Sequence, residues 1–374
     1  MSSEGVIASI HEVALGPIAA NAGAVDRERK FPHESIKALA DAGALGLLVP
    51  DRHGGTGGSL TNLAEACEAI ATSCASSAMV FLMHSVTAAT LAAGGGTKAS
   101  EALDSFARGE TIGTLAFSER ETGAHFYAPA LKAERRNGSV TVSGSKSFVT
   151  SGGQAQYLLL LVQSPEEGAD AYLVERDADG VEFEGRWNGL GMAGNSSIGM
   201  KLSNVTLGKD ALVGKPGSAA ELVFGVVAPY FLIGLAAVNV GIAAGALSTA
   251  VEHVTNRRYP DGGRLAEVQY IQHLLADMDM RTRSARLMVR EAARLGDDAD
   301  PGALVPIMEC KVVATEAAAL VTEDALKATG GRGYTPDLPV ERYLRDARAG
   351  AVMAPTNAVL RNWIGKALAG LPVP

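Results

Sequence analysis

The chain has 374 residues, 47% of them hydrophobic and 20% charged, a composition that suits two or three packed units and excludes a long disordered region. Its 33 basic and 41 acidic residues leave a net charge of −8 with no Lys/Arg-rich block, which argues against nucleic acid or an anionic membrane as partner. Three cysteines, Cys67, Cys74 and Cys310, lack CxxC or Cys/His spacing and read as buried thiols in a reducing compartment, with neither a disulfide framework nor a metal site.

The first residues, MSSEGVIASIHEV, carry an acid at Glu4 and no basic n-region, so they do not read as a signal peptide, and a cytoplasmic location is expected. Residues 1–113 read as a helical domain. Ile36, Leu39 and Ala40 mark an apolar face at helical spacing, residues 50–58 (PDRHGGTGG) form a loop, and helical spacing resumes over 60–91. At about Thr114 the texture changes. Short strands are predicted around a turn at Gly144-Ser145-Lys146 and over 157–163, 171–175 and 198–207, and strands in succession with no helix between them imply an antiparallel sheet or barrel over 114–216. The rest, 217–374, reads as four long helices at 218–258, 265–295, 303–329 and 340–369, with breaks at Tyr259-Pro260, at 296–302 and at Gly330-Gly331-Arg332-Gly333. Residues 226–247 are apolar enough to cross a membrane, but Pro229, Asn239 and a polar continuation favour a bundle helix covered on all sides.

This α+β order carries a specific text. Residues 326–358, LKATGGRGYTPDLPVERYLRDARAGAVMAPTNA, resemble the C-terminal signature of the acyl-CoA dehydrogenase family, and FPHESIKALADAGALGLLVPDRHGGTGG resembles its N-terminal helical domain. The resemblance implies an N-terminal helical domain, a middle β domain and a C-terminal four-helix bundle, with FAD as cofactor and a homotetramer built as a dimer of dimers. It also implies an acyl-CoA or acyl-carrier-protein thioester as substrate and a redox partner such as an electron-transferring flavoprotein.

The family's middle-domain motif is matched by Phe117-Ser118-Glu119-Arg120-Glu121-Thr122-Gly123-Ala124-His125. By resemblance Ser118 would bond the flavin ring edge and Gly123 would approach the pyrophosphate, although Ala124 and His125 replace the family's hydroxyl and aspartate. Ser143-Gly144-Ser145-Lys146-Ser147-Phe148-Val149-Thr150 looks like the second motif, with Phe148 against the flavin and Thr150 at its N5 region. Arg257 or Arg258, with Gln269, resembles the set that reaches a partner subunit's adenine and pyrophosphate, and the match does not choose between the two arginines. Lys327, Gly330 and Gly331 would face a pyrophosphate, and Thr356 keeps the family's threonine. A Gly pair is otherwise a turn, a surface Arg a solvated charge, a strand Phe ordinary core and Thr356 a helix cap.

The resemblance fails at the base. The family's glutamate falls at Ala354, and the alternative place used by some branches falls at Phe231, so neither position is acidic. Ala354 retains a backbone N–H. Three readings follow: a dehydrogenase that desaturates an acyl thioester with its base elsewhere (His125, His84 and Tyr230 are the candidates), a flavin-dependent monooxygenase on the same fold, and a non-catalytic partner subunit.

Overall fold

The computed structural model describes residues 2–136 and 139–373. The N-terminal part contains α1 (Ser3–Val13), α2 (Ala19–Glu28), α3 (His33–Asp41), α4 (Leu60–Ser73), α5 (Ala75–Gly94) and α6 (Thr97–Ala107). The helical spacing read over 60–91 is carried by two helices, α4 and α5. Cys74 adopts an extended conformation between α4 and α5 and breaks the run.

The strands are β1 (Gly113–Ala116), β2 (Ala133–Arg136), β3 (Ser139–Val149), β4 (Tyr157–Gln163), β5 (Ala169–Glu175), β6 (Val181–Glu184), β7 (Ile198–Leu207) and β8 (Leu212–Val213). They form two four-stranded sheets, ordered β1-β4-β5-β8 and β2-β3-β7-β6. Two expectations are corrected here. β1 pairs with β4 in parallel, because β1 enters from the helical domain and not through a hairpin. Gly144-Ser145-Lys146 is no turn: β3 runs through it, and its register against β7 shifts between Val142 and Gly144 and again between Lys146 and Val149. Such bulges turn side chains out of the alternation. Phe148, at the second one, takes a φ of 52° and stands 66% exposed.

The C-terminal part comprises α7 (Ala219–Leu222), α8 (Ala228–Asn256), α9 (Gln269–Asp297), α10 (Leu304–Thr329), α11 (Gly331–Tyr334), α12 (Val340–Val352) and α13 (Asn357–Leu368). α8 is the apolar segment singled out in the sequence. It is buried over residues 232–243, α4 covers one side, and Pro229 sits in its first turn, where no N–H is needed. A Cβ on Gly241 would lie 2.4 Å from the Glu68 carbonyl of α4, so only glycine lets these axes approach so closely. α5 is also long and apolar enough to span a membrane and is likewise packed inside the protein. The single helix expected over 340–369 is broken at residues 353–356, where Pro355 has no N–H to continue α12.

α12 ties the parts together. Arg345 makes two bonds to Asp26 of α2, at 2.9 and 2.6 Å, the Tyr343 hydroxyl donates to Thr72 O at 2.6 Å, and Asp346 accepts the Met192 N–H at 2.5 Å. The three cysteines are buried free thiols.

Candidate active site

Two clusters of the residues singled out in the sequence assemble at opposite ends of α12, whose 13 residues span about 20 Å. The first surrounds a cavity of about 70 Å³ walled by Ser118, Phe148, Phe231 and Ala354 together with Leu115 and Phe126. Ser118 follows β1, Phe148 projects from the β3 bulge, Phe231 lies in the first turns of α8, and Ala354 sits at the corner between α12 and α13. Four separate elements thus bring the two sequence motifs to one place. Tyr127 meets Phe126 edge-on at 5.7 Å and packs at a tilt against Phe224 and Trp363, at 5.3 and 5.9 Å between ring centroids.

A buried ion pair fixes the motif loops. Lys146 donates to Glu119 at 2.5 Å, to Leu161 O at 2.5 Å and to Phe117 O at 3.4 Å, while the other Glu119 oxygen accepts the Ala130 and Leu131 N–H groups. Burial pushes the Lys146 ammonium down to about 8, against the opposing influence of Glu119. Both residues stood inside the quoted motifs, but neither spacing nor composition assigned them a role.

The second cluster lines an open cavity of about 590 Å³ formed by Arg257, His253, Lys327, Gly330, Gly331 and Arg332. Gly330 adopts φ 58°, ψ −140°, a conformation closed to side chains, and opens the helical turn α11. A Cβ on either glycine would meet open space, so the turn presents bare backbone to the cavity. His253, which the sequence reading missed, is held below the ordinary imidazole range by burial and by Arg332 and Arg257. Lys327 leans on Asp324 at 3.0 Å and Glu323 at 3.4 Å. Of the two arginines, Arg257 is on this wall, whereas the Arg258 backbone pairs with that of Arg264 in an isolated antiparallel bridge.

Several expected site residues do other work. His84 is fully buried, with Nε2 donating to Leu45 O at 2.8 Å and Nδ1 accepting the Gly113 N–H at 3.2 Å. Both nitrogens are engaged and burial pushes its pKa down to about 4, so it is a neutral link between α5 and β1 and not a base. Tyr230 is off the cavity wall near Asp297, and burial followed by that charge raises its pKa; its neighbour Phe231 faces the cavity instead. His125 is exposed, 3.3 Å from Thr122 O, with its ring edge-on to Tyr127. The Thr150 hydroxyl is buried against Ser197 at 2.9 Å and does not line the cavity. Thr356 caps α13 through the Val359 N–H at 3.3 Å. Gln269 stands exposed at the first position of α9, and Gly123 lies on an exposed loop with φ 54°.

Known proteins match this arrangement over nearly the whole chain. The N-terminal, middle and C-terminal domain models of acyl-CoA dehydrogenase match residues 3–110, 114–205 and 233–369. Cyclohex-1-ene-1-carbonyl-CoA dehydrogenase of Geobacter metallireducens is 30% identical over 365 residues, covering 96% of each chain. The human mitochondrial short-chain specific acyl-CoA dehydrogenase is 30% identical over 356 residues, covering 94% of this chain and 85% of its own. The structure of butyryl-CoA dehydrogenase from Megasphaera elsdenii superposes with a TM-score of 0.92 at 25% identity, covering 98% of each chain. The chain belongs to the acyl-CoA dehydrogenase family, whose members are flavin oxidoreductases acting on CH–CH groups.

FAD is the cofactor of that family, and both clusters fit it. A flat, exposed Phe148 beside the Ser118 hydroxyl suits the ring system, and bare glycine backbone beside Arg257, Lys327 and Arg332, with Asp337 as the one acid on that wall, suits a diphosphate.

Proposed function

We propose that this protein binds FAD and an acyl thioester, with the acyl group in the cavity walled by Ser118, Phe148, Phe231 and Ala354, and that it desaturates the thioester between Cα and Cβ. Bound FAD supplies the hydride acceptor. The observation that carries the reading is that Ala354, on a segment resembling the family's catalytic one, shares that cavity with the two flavin motifs. Among the described residues the Ala354 N–H has no acceptor in the chain, which leaves it free to donate to the thioester carbonyl and stabilise the charge that develops there.

The wall also explains what this site lacks. It holds no titratable side chain, since Phe231 and Ala354 occupy both places where the resemblance would put a carboxylate and His84 is locked elsewhere. The α-proton must therefore leave to a group outside the wall; of the three sequence candidates His125, next to the wall residue Phe126, is the exposed one, whereas His84 is buried and Tyr230 half-buried. That uncharged wall favours a second reading as well, a flavin-dependent monooxygenase or a partner subunit, neither of which uses a carboxylate there.

The test is an anaerobic titration with short, branched and long acyl-CoAs, following the oxidised flavin band, in the wild type and in Ala354→Glu. Flavin reduction is expected to be slow in the wild type and on the order of 10² to 10⁴-fold faster in the variant, the range of a positioned general base. No gain in a variant that holds FAD would move the acyl group away from Ala354. The basic cluster is expected to serve the diphosphate of a partner subunit's FAD in a homotetramer, with an electron-transferring flavoprotein as acceptor. Arg257→Ala should then weaken FAD retention about tenfold and Arg258→Ala little, by dialysis against low FAD; equal losses would remove Arg257's special place.

A further inference from the structure

Lys311 lies in the middle of α10, shielded completely from solvent. Its ammonium meets oxygens of no carboxylate: Met353 O at 3.4 Å, Pro355 O at 3.1 Å and Asn357 Oδ1 at 2.8 Å. The nearest acidic influence is Glu316, itself taken by Arg361 at 2.6 Å. Thr315 Oγ1 accepts from the Asn357 amide at 2.9 Å and so holds the third of these oxygens in place. Removing an ammonium from water without a counter-ion is costly, and burial pushes this one down to about 7. For packing alone a methionine or leucine would fill the same space without that penalty.

What the ammonium holds is the corner between α12 and α13, which carries Ala354. The carbonyls on either side of that residue, of Met353 and Pro355, both turn inward to Lys311. In a trans peptide unit the C=O and the following N–H point in opposite directions. The Met353 carbonyl faces the buried side, so the Ala354 N–H of the same unit faces away from it, and Ala354 lines the cavity.

We propose that Lys311 is a positioning residue for the substrate: by holding the Met353 carbonyl inward it aims the Ala354 N–H at the acyl carbonyl. This rests on the reading that the acyl thioester occupies the cavity, and the experiment separates the two. Holoenzyme is mixed with an acyl-CoA labelled with ¹³C at the thioester carbonyl, and the C=O stretch of the bound ligand is read by difference infrared spectroscopy, with affinity taken from the flavin absorbance. In the wild type the stretch moves to lower frequency. Lys311→Met should lose most of that shift and bind about tenfold more weakly while retaining FAD, the loss of one aligned hydrogen bond; Lys311→Arg, which keeps the charge, should keep part of the shift. An undiminished shift in Lys311→Met overturns the role of Lys311. No shift in the wild type overturns the placement of the acyl group instead. If Lys311→Met does not hold FAD, Lys311→Gln, with one N–H pair left for the carbonyls, decides the matter by the same criterion: an intermediate shift supports the proposal and an unchanged one refutes it.

Discussion

Two buried lysines hold the two halves of this site in different ways. Lys146, in the β domain, has a carboxylate partner in Glu119, and the pair fastens Phe117, Leu161 and the 130–131 turn around the motif loops. Lys311, in the bundle, has only carbonyl and amide oxygens. Burial lowers both pKa values, to about 8 for the paired lysine and about 7 for the unpaired one, an order consistent with the counter-charge. A paired buried charge is strongly coupled to its mate, whereas an unpaired one can be replaced by an apolar group at the cost of its hydrogen bonds alone.

The contrast is broken most forcefully at Glu119. Glu119→Ala leaves the Lys146 ammonium buried without its anion and should cost about 3–5 kcal/mol, read by urea or thermal unfolding. A loss under 1 kcal/mol would mean that water or a rearranged loop replaces the carboxylate. Lys311→Met orphans acceptors but strands no charge, so a loss of about 1–3 kcal/mol is expected, smaller than at Glu119. The reverse order would show that the two lysines are held alike.

Asp346 sharpens the comparison from the acidic side. It accepts the Met192 N–H and lies near Arg342 and Arg345, yet burial pushes its pKa up to about 7. Between the ordinary carboxylate range and pH 7 the folded protein then binds a proton that the unfolded chain does not. This contribution is fully present below the unfolded pKa and is lost as the pH rises through about 7. Asp346→Asn removes that slope, so its melting temperature relative to wild type should increase from pH 5 to pH 8. Parallel curves would show that the arginines hold the carboxylate ionised throughout.

How legible the site was depended on the kind of signal each residue sends. The glycine turn at 330–331, the strands over 157–163 and 198–207 and the long helices were readable because turn chemistry and hydrophobic period are local properties. The cavity was partly readable: Ser118, Phe148 and Ala354 were singled out from separate motifs and do meet in one wall. His84 could be singled out only as a candidate, because a histidine gives no hint in sequence of whether its two nitrogens are already taken by a helix turn and a strand. Thr150 and Tyr230 likewise lie off the cavity wall, the Thr150 hydroxyl bonded to Ser197. Lys311 gave no signal at all, since a lone lysine in a helical run reads as a solvated face.

The sequence by itself determined the element types, the α+β order of the parts and the family text, because these depend on neighbours along the chain. Tertiary structure alone decided that Arg257 shares a wall with the glycine turn, that β1 joins β4 in parallel, and that the Met353 and Pro355 carbonyls turn onto a buried ammonium. Those outcomes depend on which atoms distant in the chain compete for the same hydrogen-bond partners. That positions 231 and 354 are not acidic was readable in the sequence; that Phe231 and Ala354 share one cavity wall, with the Lys311 ammonium bonded to the carbonyl before Ala354, needed the fold.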